Sequence, residues 1–206
     1  MLITFCGLDA AGKSTNINAL KKKMHGMYGG TTLLKQPTEE VRKSEMFKTY
    51  MAKSDHANYD YLALSLRCFS DRLQQDKWEV RPALDRGDAV ICDRYIFSHL
   101  ANLNAREMQD RIWAVDLSKN IVKPDIAFFL DVPVEVSVKR VRQRPEEKNK
   151  YIDIDLQYKL RDEYLKIAKL NDGIVIDCTQ EPDRVFQRIM AEVLKKRALK
   201  QGVFLS

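Results

Sequence analysis

Cysteine is scarce in this chain and is nowhere paired in a way that holds a metal. The four present, Cys6, Cys68, Cys92 and Cys178, are scattered over 206 residues with no C-x-x-C spacing. A zinc site is therefore not expected, and they read as small buried hydrophobes of a reducing compartment. No apolar run approaches the roughly 20 residues of a membrane span. The first residues lead straight into a strand-like segment, which leaves no room for a signal peptide. Internal repeats and disordered linkers are missing as well. The net charge is +6, yet the basic residues form no single long tract. Lys21-Lys22-Lys23 reads as a solvated helix face, and Lys195-Lys196-Arg197 falls near a helix end, where cations suit the dipole. The expectation is a soluble cytoplasmic protein with a small polyanionic ligand, and with neither nucleic acid nor membrane as a partner.

What the chain does have is concentrated near its start. Gly7-Leu8-Asp9-Ala10-Ala11-Gly12-Lys13-Ser14 fits G-x-x-x-x-G-K-[ST], the phosphate-binding loop. The apolar run Leu2-Ile3-Thr4-Phe5-Cys6 before it reads as a buried strand. Residues 15–27 after it, with Ile17, Leu20 and Met24 at helical spacing, read as a helix. Strand, glycine loop and helix are the order the chemistry needs. Glycines let the backbone wrap phosphate oxygens with its N–H groups inward, and the helix N-terminus favours negative charge. Lys13, expected in an exposed loop, reaches the β- and γ-phosphates, and the Ser14 hydroxyl ligates Mg²⁺. A chance match in a glycine-rich turn would lack the flanking strand and helix. ATP and Mg²⁺ are the expected cofactors, held by residues 7–15, Thr15 included.

With 45% hydrophobic residues the chain suffices for one domain, residues 1–206, with a single core. Apolar strands are predicted over residues 2–6, 31–35, 89–92, 126–130 and 174–176. Helices are predicted over 39–51, over 59–84 with an interruption near Pro82, and over 95–103, 106–120, 133–142, 155–170 and 182–200. This alternation predicts an α/β fold, the three-layer P-loop NTPase arrangement, with a five-stranded parallel sheet covered by helices on both faces. Ligands of such sheets bind beyond the carboxyl ends of the strands.

Two further segments fall at such ends. The strand over 89–92 ends in Asp93-Arg94-Tyr95. Asp93 stands where a carboxylate helps hold Mg²⁺, directly or through water, and Arg94 has the planar fork that bridges phosphates. An ordinary Asp–Arg pair at a strand end is the plain alternative. The run Lys139, Arg140, Arg142, Arg144, Glu146-Glu147, Lys148 and Lys150 reads as a lid over about residues 142–150. Mobile cations that close over a transferring phosphoryl group exclude water and neutralise charge, and Pro145 interrupts the helix where a mobile segment would begin. The plain alternative is a solvated helix end.

These motifs together resemble the thymidylate kinases, P-loop nucleoside monophosphate kinases. The family's glycine loop is similar to Phe5 through Thr15, its Asp-Arg-Tyr/His motif to Asp93-Arg94-Tyr95 and its following serine to Ser98. Its proline turn after the second strand resembles Gln36-Pro37-Thr38. The strand signature resembles Pro124-Asp125-Ile126 through Leu130-Asp131-Val132-Pro133, and the arginine-rich lid resembles residues 139–150. The likeness spans about residues 2–189. It implies that Lys13 and the loop amides hold ATP, and that Asp9 contacts the 3′-hydroxyl of the acceptor sugar. It implies that Arg94 orients phosphates at the transfer point and that Arg72 binds the acceptor. Pro37, Cys68, Tyr95 and Ser98 join the acceptor site. The glycine loop has no extra basic residue, so the lid supplies that charge, with Arg142, Arg144 and Lys148 as candidates and the first two as catalytic residues. A homodimer is implied by the resemblance alone.

Departures cluster in base recognition. Cys68 stands where the family has a stacking Phe, with Phe69 beside it about 100° around the helix. Gln36 replaces a Glu, and Asn102 and Leu103 replace the Tyr and Gln of the base pocket. The expected reaction is ATP-dependent phosphorylation of a nucleoside 5′-monophosphate, dTMP first. The alternatives are another nucleotide or a nucleoside, or a nucleotide-binding regulator without kinase activity. A nucleoside acceptor would need a carboxylate base near its 5′-hydroxyl, Asp9 or Glu39.

Overall fold

The structure, a computed structural model, describes residues 1–52, 59–108 and 112–202. Its elements, in chain order, are β1 (Leu2–Gly7), α1 (Lys13–Met24), β2 (Thr31–Lys35), α2 (Glu39–Lys43), α3 (Glu45–Ala52) and α4 (Tyr61–Gln75). A π-helical turn (Asp76–Val80) leads into α5 (Arg81–Asp85), β3 (Ala89–Asp93), α6 (Ile96–Ala105) and α7 (Ile112–Ser118). Then come β4 (Ile126–Asp131), α8 (Val134–Arg142), a 3₁₀ turn (Pro145–Glu147), α9 (Ile154–Leu170), β5 (Ile174–Asp177) and α10 (Pro182–Lys200).

The strands form a parallel sheet in the order β2-β3-β1-β4-β5. Side chains alternate across β1. Leu2 and Cys6 join one core with Phe69 of α4, Leu103 of α6 and Leu160, Tyr164 and Ile167 of α9. Ile3 and Phe5 join the other core with Ile17, Leu20 and Met24 of α1 and Val185, Ile189 and Val193 of α10. Both faces of the sheet are therefore dry, which is why its strands read as continuous apolar runs rather than as alternating ones. The three-layer α/β arrangement expected from the sequence is the one observed. All four cysteines are buried and free, as expected. Among the described residues no helix is long and apolar enough to cross a membrane.

Two predicted helices are divided, and a third is described only in part. The segment over 39–51 breaks at Ser44, whose hydroxyl donates to the Val41 carbonyl and accepts from the Phe47 N–H. That local pairing competes with helix continuation. The long helix widens over Asp76–Val80, ahead of Pro82, and the Arg81 N–H reaches back to the Asp76 carbonyl. Pro82 has no N–H and its ring crowds the carbonyl four residues before it, so the chain relaxes just upstream. Of the helix expected over 106–120, residues 109–111 lie outside the described residues. α7 covers Ile112–Ser118, and Arg106 and Glu107 form a turn with Glu107 at φ 53°.

A small third core of Val41, Tyr50, Leu64 and Cys68 packs α2 and α3 onto α4. These helices stand beside the carboxyl ends of β2, β3 and β1. Register brings those ends level, with Phe5 and Lys35 both opposite Asp93.

Candidate active site

A cavity of about 460 Å³ opens beyond those strand ends. Its first wall is the loop between β1 and α1. Gly7 has φ +137°, and a Cβ there would collide with the Leu130 carbonyl of the adjacent strand. Gly12, at φ +93°, turns the chain into α1. Ala10 takes the left-handed conformation without being glycine, at φ 56°, which marks a loop held in place by its surroundings. No side chain caps α1 and no acidic residue lies in its first turn, so its leading N–H groups face the cavity as an anion site. Leu8, Asp9, Ala10, Gly12, Lys13, Ser14 and Thr15 line the cavity, with Gly7 and Ala11 behind them.

Lys13 is not exposed, contrary to expectation. It is 7% accessible, and its Nζ donates to the carbonyls of Gly7 (3.1 Å) and Leu8 (2.6 Å). Burial, with the Arg94 charge beside it, brings its pKa down to about 7.

Arg94 leaves β3 at φ 67°. Its guanidinium donates to the Gly7 carbonyl, the Tyr164 hydroxyl and, at 2.6 Å, Asp9 Oδ1. Lys150 reaches Asp9 Oδ2 at 3.1 Å from the opposite side. Partial burial works against the Asp9 charge, but Arg94, Lys13 and Lys150 outweigh it and hold the carboxyl well below the usual carboxylate range. Asp93 lines the cavity, and its Oδ1 is buried without a partner.

The backbone turn after Arg94 carries Tyr95 away from the cavity, a correction to its expected place in the acceptor site. Its ring is fully buried in the core, and its hydroxyl donates to the Val122 carbonyl (2.9 Å) and Asp76 Oδ1 (3.3 Å).

The segment from α8 to α9 forms the roof. Arg144 faces the cavity and pairs with Glu147 at 2.7 Å. Arg142 does not face it, another correction. It lies outside, and its Nη1 donates to the carbonyls of Lys148 (2.7 Å) and Lys150 (2.6 Å). Lys148 is likewise outside the cavity lining. The Pro145–Glu147 turn reverses the chain so that Arg142 clamps the backbone while Lys150 points inward. Sequence reasoning named Lys150 within the run but did not choose it. Arg140 reaches the Ala10 and Cys178 carbonyls and Ser137 donates to the Asp9 carbonyl, so α8 ties roof to loop.

The second wall comes from α2, α3, α4 and α6. Tyr61, Ser65, Cys68 and Arg72 recur at helical spacing on one face of α4 and all line the cavity, as do Pro37, Ser98, His99 and Asn102. Phe69 points instead into the core against Trp113. Leu103 is fully buried. Asn102 donates to the Ser98 carbonyl and accepts from Arg106, and the Arg106 guanidinium lies 4.3 Å over the Tyr61 ring. Arg42 also lines the cavity, donating to the Pro37 and Gln36 carbonyls. Tyr61, Ser65, His99, Arg42 and Arg106 were not found from sequence. The signal for Tyr61 and Ser65 was there, two helical turns and one helical turn before Cys68.

A family model described as thymidylate kinase matches residues 5–189 of this chain. A probable thymidylate kinase of Thermococcus kodakarensis is 32% identical over 197 residues, covering 93% of this chain and 96% of the relative. A thymidylate kinase of Sulfurihydrogenibium sp. is 32% identical over 202 residues, covering 96% and 98%. The crystal structure of thymidylate kinase from Ehrlichia chaffeensis is similar with a TM-score of 0.72 at 25% identity, covering 94% of this chain and 98% of that one.

Proposed function

The chain belongs to the thymidylate kinase family, and we propose how its residues divide the work of moving the γ-phosphoryl group of ATP to dTMP. The reaction is phosphoryl transfer by a nucleoside monophosphate kinase, in which positioning and charge neutralisation carry the catalysis. The α1 N-terminus, the loop amides and Lys13 hold the β- and γ-phosphates of the donor. Arg94 stands between donor and acceptor walls with its guanidinium already fixed by Gly7, Asp9 and Tyr164, so little reorganisation remains at the moment of transfer. Arg144 and Lys150 close over the transferring group, and Arg142 positions both by holding the lid backbone. Arg72, Cys68, Pro37 and Ser98 bound the acceptor, and Asp9 accepts from its sugar.

The residues fit Mg²⁺. The Asp93 Oδ1 atom is buried at the cleft without a partner, and the Ser14 hydroxyl is exposed on the same wall. When bound, the ion would supply positive charge that neutralises the donor phosphates. Asp93 and Ser14 would hold it, and the sparse set suits a cation that keeps much of its water.

The observation that carries this reading is the convergence of Lys13, Arg94, Arg144 and Lys150 on one cavity, with a separate aromatic and polar wall opposite. A nucleoside acceptor is disfavoured. Glu39 is exposed and paired with Lys43, and Asp9, with its carboxyl held far below the usual range, is a poor base. A homodimer belongs to the same reading, on the resemblance alone, as do a cytoplasmic location and a single domain with a lid over about residues 142–150. The test is steady-state turnover with ATP against dTMP, dUMP, dCMP, UMP, purine monophosphates and thymidine. We expect dTMP to give the highest kcat/KM and thymidine none. Turnover confined to a nucleoside or a purine nucleotide would contradict the assignment.

A further inference from the structure

Cys68 leaves the second wall without the aromatic face expected at that position, so polar groups must do more of the sorting of bases. Those groups are tied together. The Arg72 Nη1 donates to the Cys68 carbonyl at 2.8 Å and to Nδ1 of His99 at 3.3 Å. Nε2 of His99 lies 3.0 Å from Ser65 Oγ. All three side chains are buried and line the cavity. Phe69 and Trp113 stand in T-shaped contact with the imidazole, centroids 5.3 and 6.2 Å away, so the ring has little freedom to turn.

The chemistry of the partners fixes the proton. A guanidinium only donates, so Nδ1 must accept. The ring proton then sits on Nε2 and is donated to Ser65 Oγ. The Ser65 hydroxyl keeps its own hydrogen for another acceptor, and His99 is its hydrogen-bond partner in the protein. Arg72 Nε is buried with no partner. Burial and the Arg72 charge keep His99 neutral, its pKa well below the usual histidine value, so the arrangement does not reverse near neutral pH. The wall therefore presents the Arg72 N–H groups and the Ser65 hydroxyl hydrogen at this place.

We propose that His99 is a positioning and specificity-determining residue for the acceptor base. By accepting from Arg72 it fixes where that guanidinium points, and by donating to Ser65 it leaves the serine hydrogen free for a pyrimidine edge that carries carbonyl oxygen rather than an amino group. dTMP and dUMP present such an oxygen at C4, whereas dCMP presents hydrogens that meet the Arg72 guanidinium donor to donor. The inference rests on the nucleotide kinase reading of this cleft.

The experiment measures kcat and KM for dTMP and dCMP at saturating ATP in wild type, His99→Leu and His99→Gln, with a thermal melt of each. His99→Leu should raise the KM for dTMP about tenfold, the loss of roughly one oriented hydrogen bond. It should leave saturating kcat within a few-fold and narrow the dTMP-to-dCMP ratio of kcat/KM by a similar factor. His99→Gln, whose amide oxygen accepts and whose NH₂ donates, should recover most of the loss. Nitrogen-15 spectra of the wild-type ring should show the neutral Nε2–H tautomer at neutral pH. An unchanged KM and an unchanged ratio in a folded His99→Leu protein would overturn the proposal. So would an Nδ1–H tautomer, a reading that stands even if the leucine variant does not fold. Failure of the wild type to phosphorylate dTMP at all is a different result and would overturn the kinase reading instead.

Discussion

Lys13 shows how much a single residue can be asked to do. It lies buried against two loop carbonyls with the Arg94 charge close by, and its pKa falls from 10.5 to about 7. Between those values the unfolded chain keeps a proton that the folded, unliganded one sheds, so this group makes stability rise with pH across the window. Donor phosphates restore the charge. Binding of ATP above pH 7 should therefore take up a proton, seen in calorimetry at pH 8 as a heat that varies with the ionisation enthalpy of the buffer. Lys13→Met should abolish that uptake and lower turnover by at least ~10²–10³-fold. Uptake that persists in the variant would place the titrating group elsewhere. Lys13 and Arg94 were legible from sequence because a fixed motif and a strand end place them. His99 was not, since its partners Ser65 and Arg72 lie 34 and 27 residues away on another helix. Tyr95 misled because it adjoins Arg94 in sequence, while the positive φ of Arg94 sends the two side chains apart.

Among the elements, the lid was legible as a run of charge but not in its internal assignment. A run of cations gives no direction for any one of them. The turn over Pro145–Glu147 decides that Arg142 stays outside as a clamp while Arg144 and Lys150 face inward. Arg142→Ala should then speed amide hydrogen exchange over residues 144–150 and lower kcat about tenfold without the phosphate contact being touched. Arg144→Ala should lower kcat more than it raises the KM for ATP, because its charge matters most in the transition state. Equal exchange rates in wild type and Arg142→Ala would remove the clamp. The division of the two predicted long helices has the same physical character. Ser44 and Pro82 were visible, yet where a helix gives way is settled by the pairing of neighbouring backbone groups, such as the Arg81 N–H on the Asp76 carbonyl.

For the whole molecule, the sheet was the most legible part. Strands covered on both faces must read as apolar runs, and intervening helices leave only parallel pairing, so architecture followed from pattern. The strand order β2-β3-β1-β4-β5 is not written in any one segment, and it is what gathers Asp9, Asp93 and Arg94 at one edge. The acceptor wall was least legible because it is assembled from four helices, and the apolar packing of α2 and α3 on α4, through Val41, Tyr50, Leu64 and Cys68, sets the spacing of its polar groups. The central claim is that this edge transfers phosphate from ATP to dTMP, and phosphorus NMR of a running reaction tests it most directly. With protein, Mg²⁺, ATP and dTMP, the dTMP resonance should be replaced by the paired resonances of dTDP, with ADP appearing in equal amount. ADP formed without dTDP, or a mixture that does not change while dTMP is present, would contradict the account.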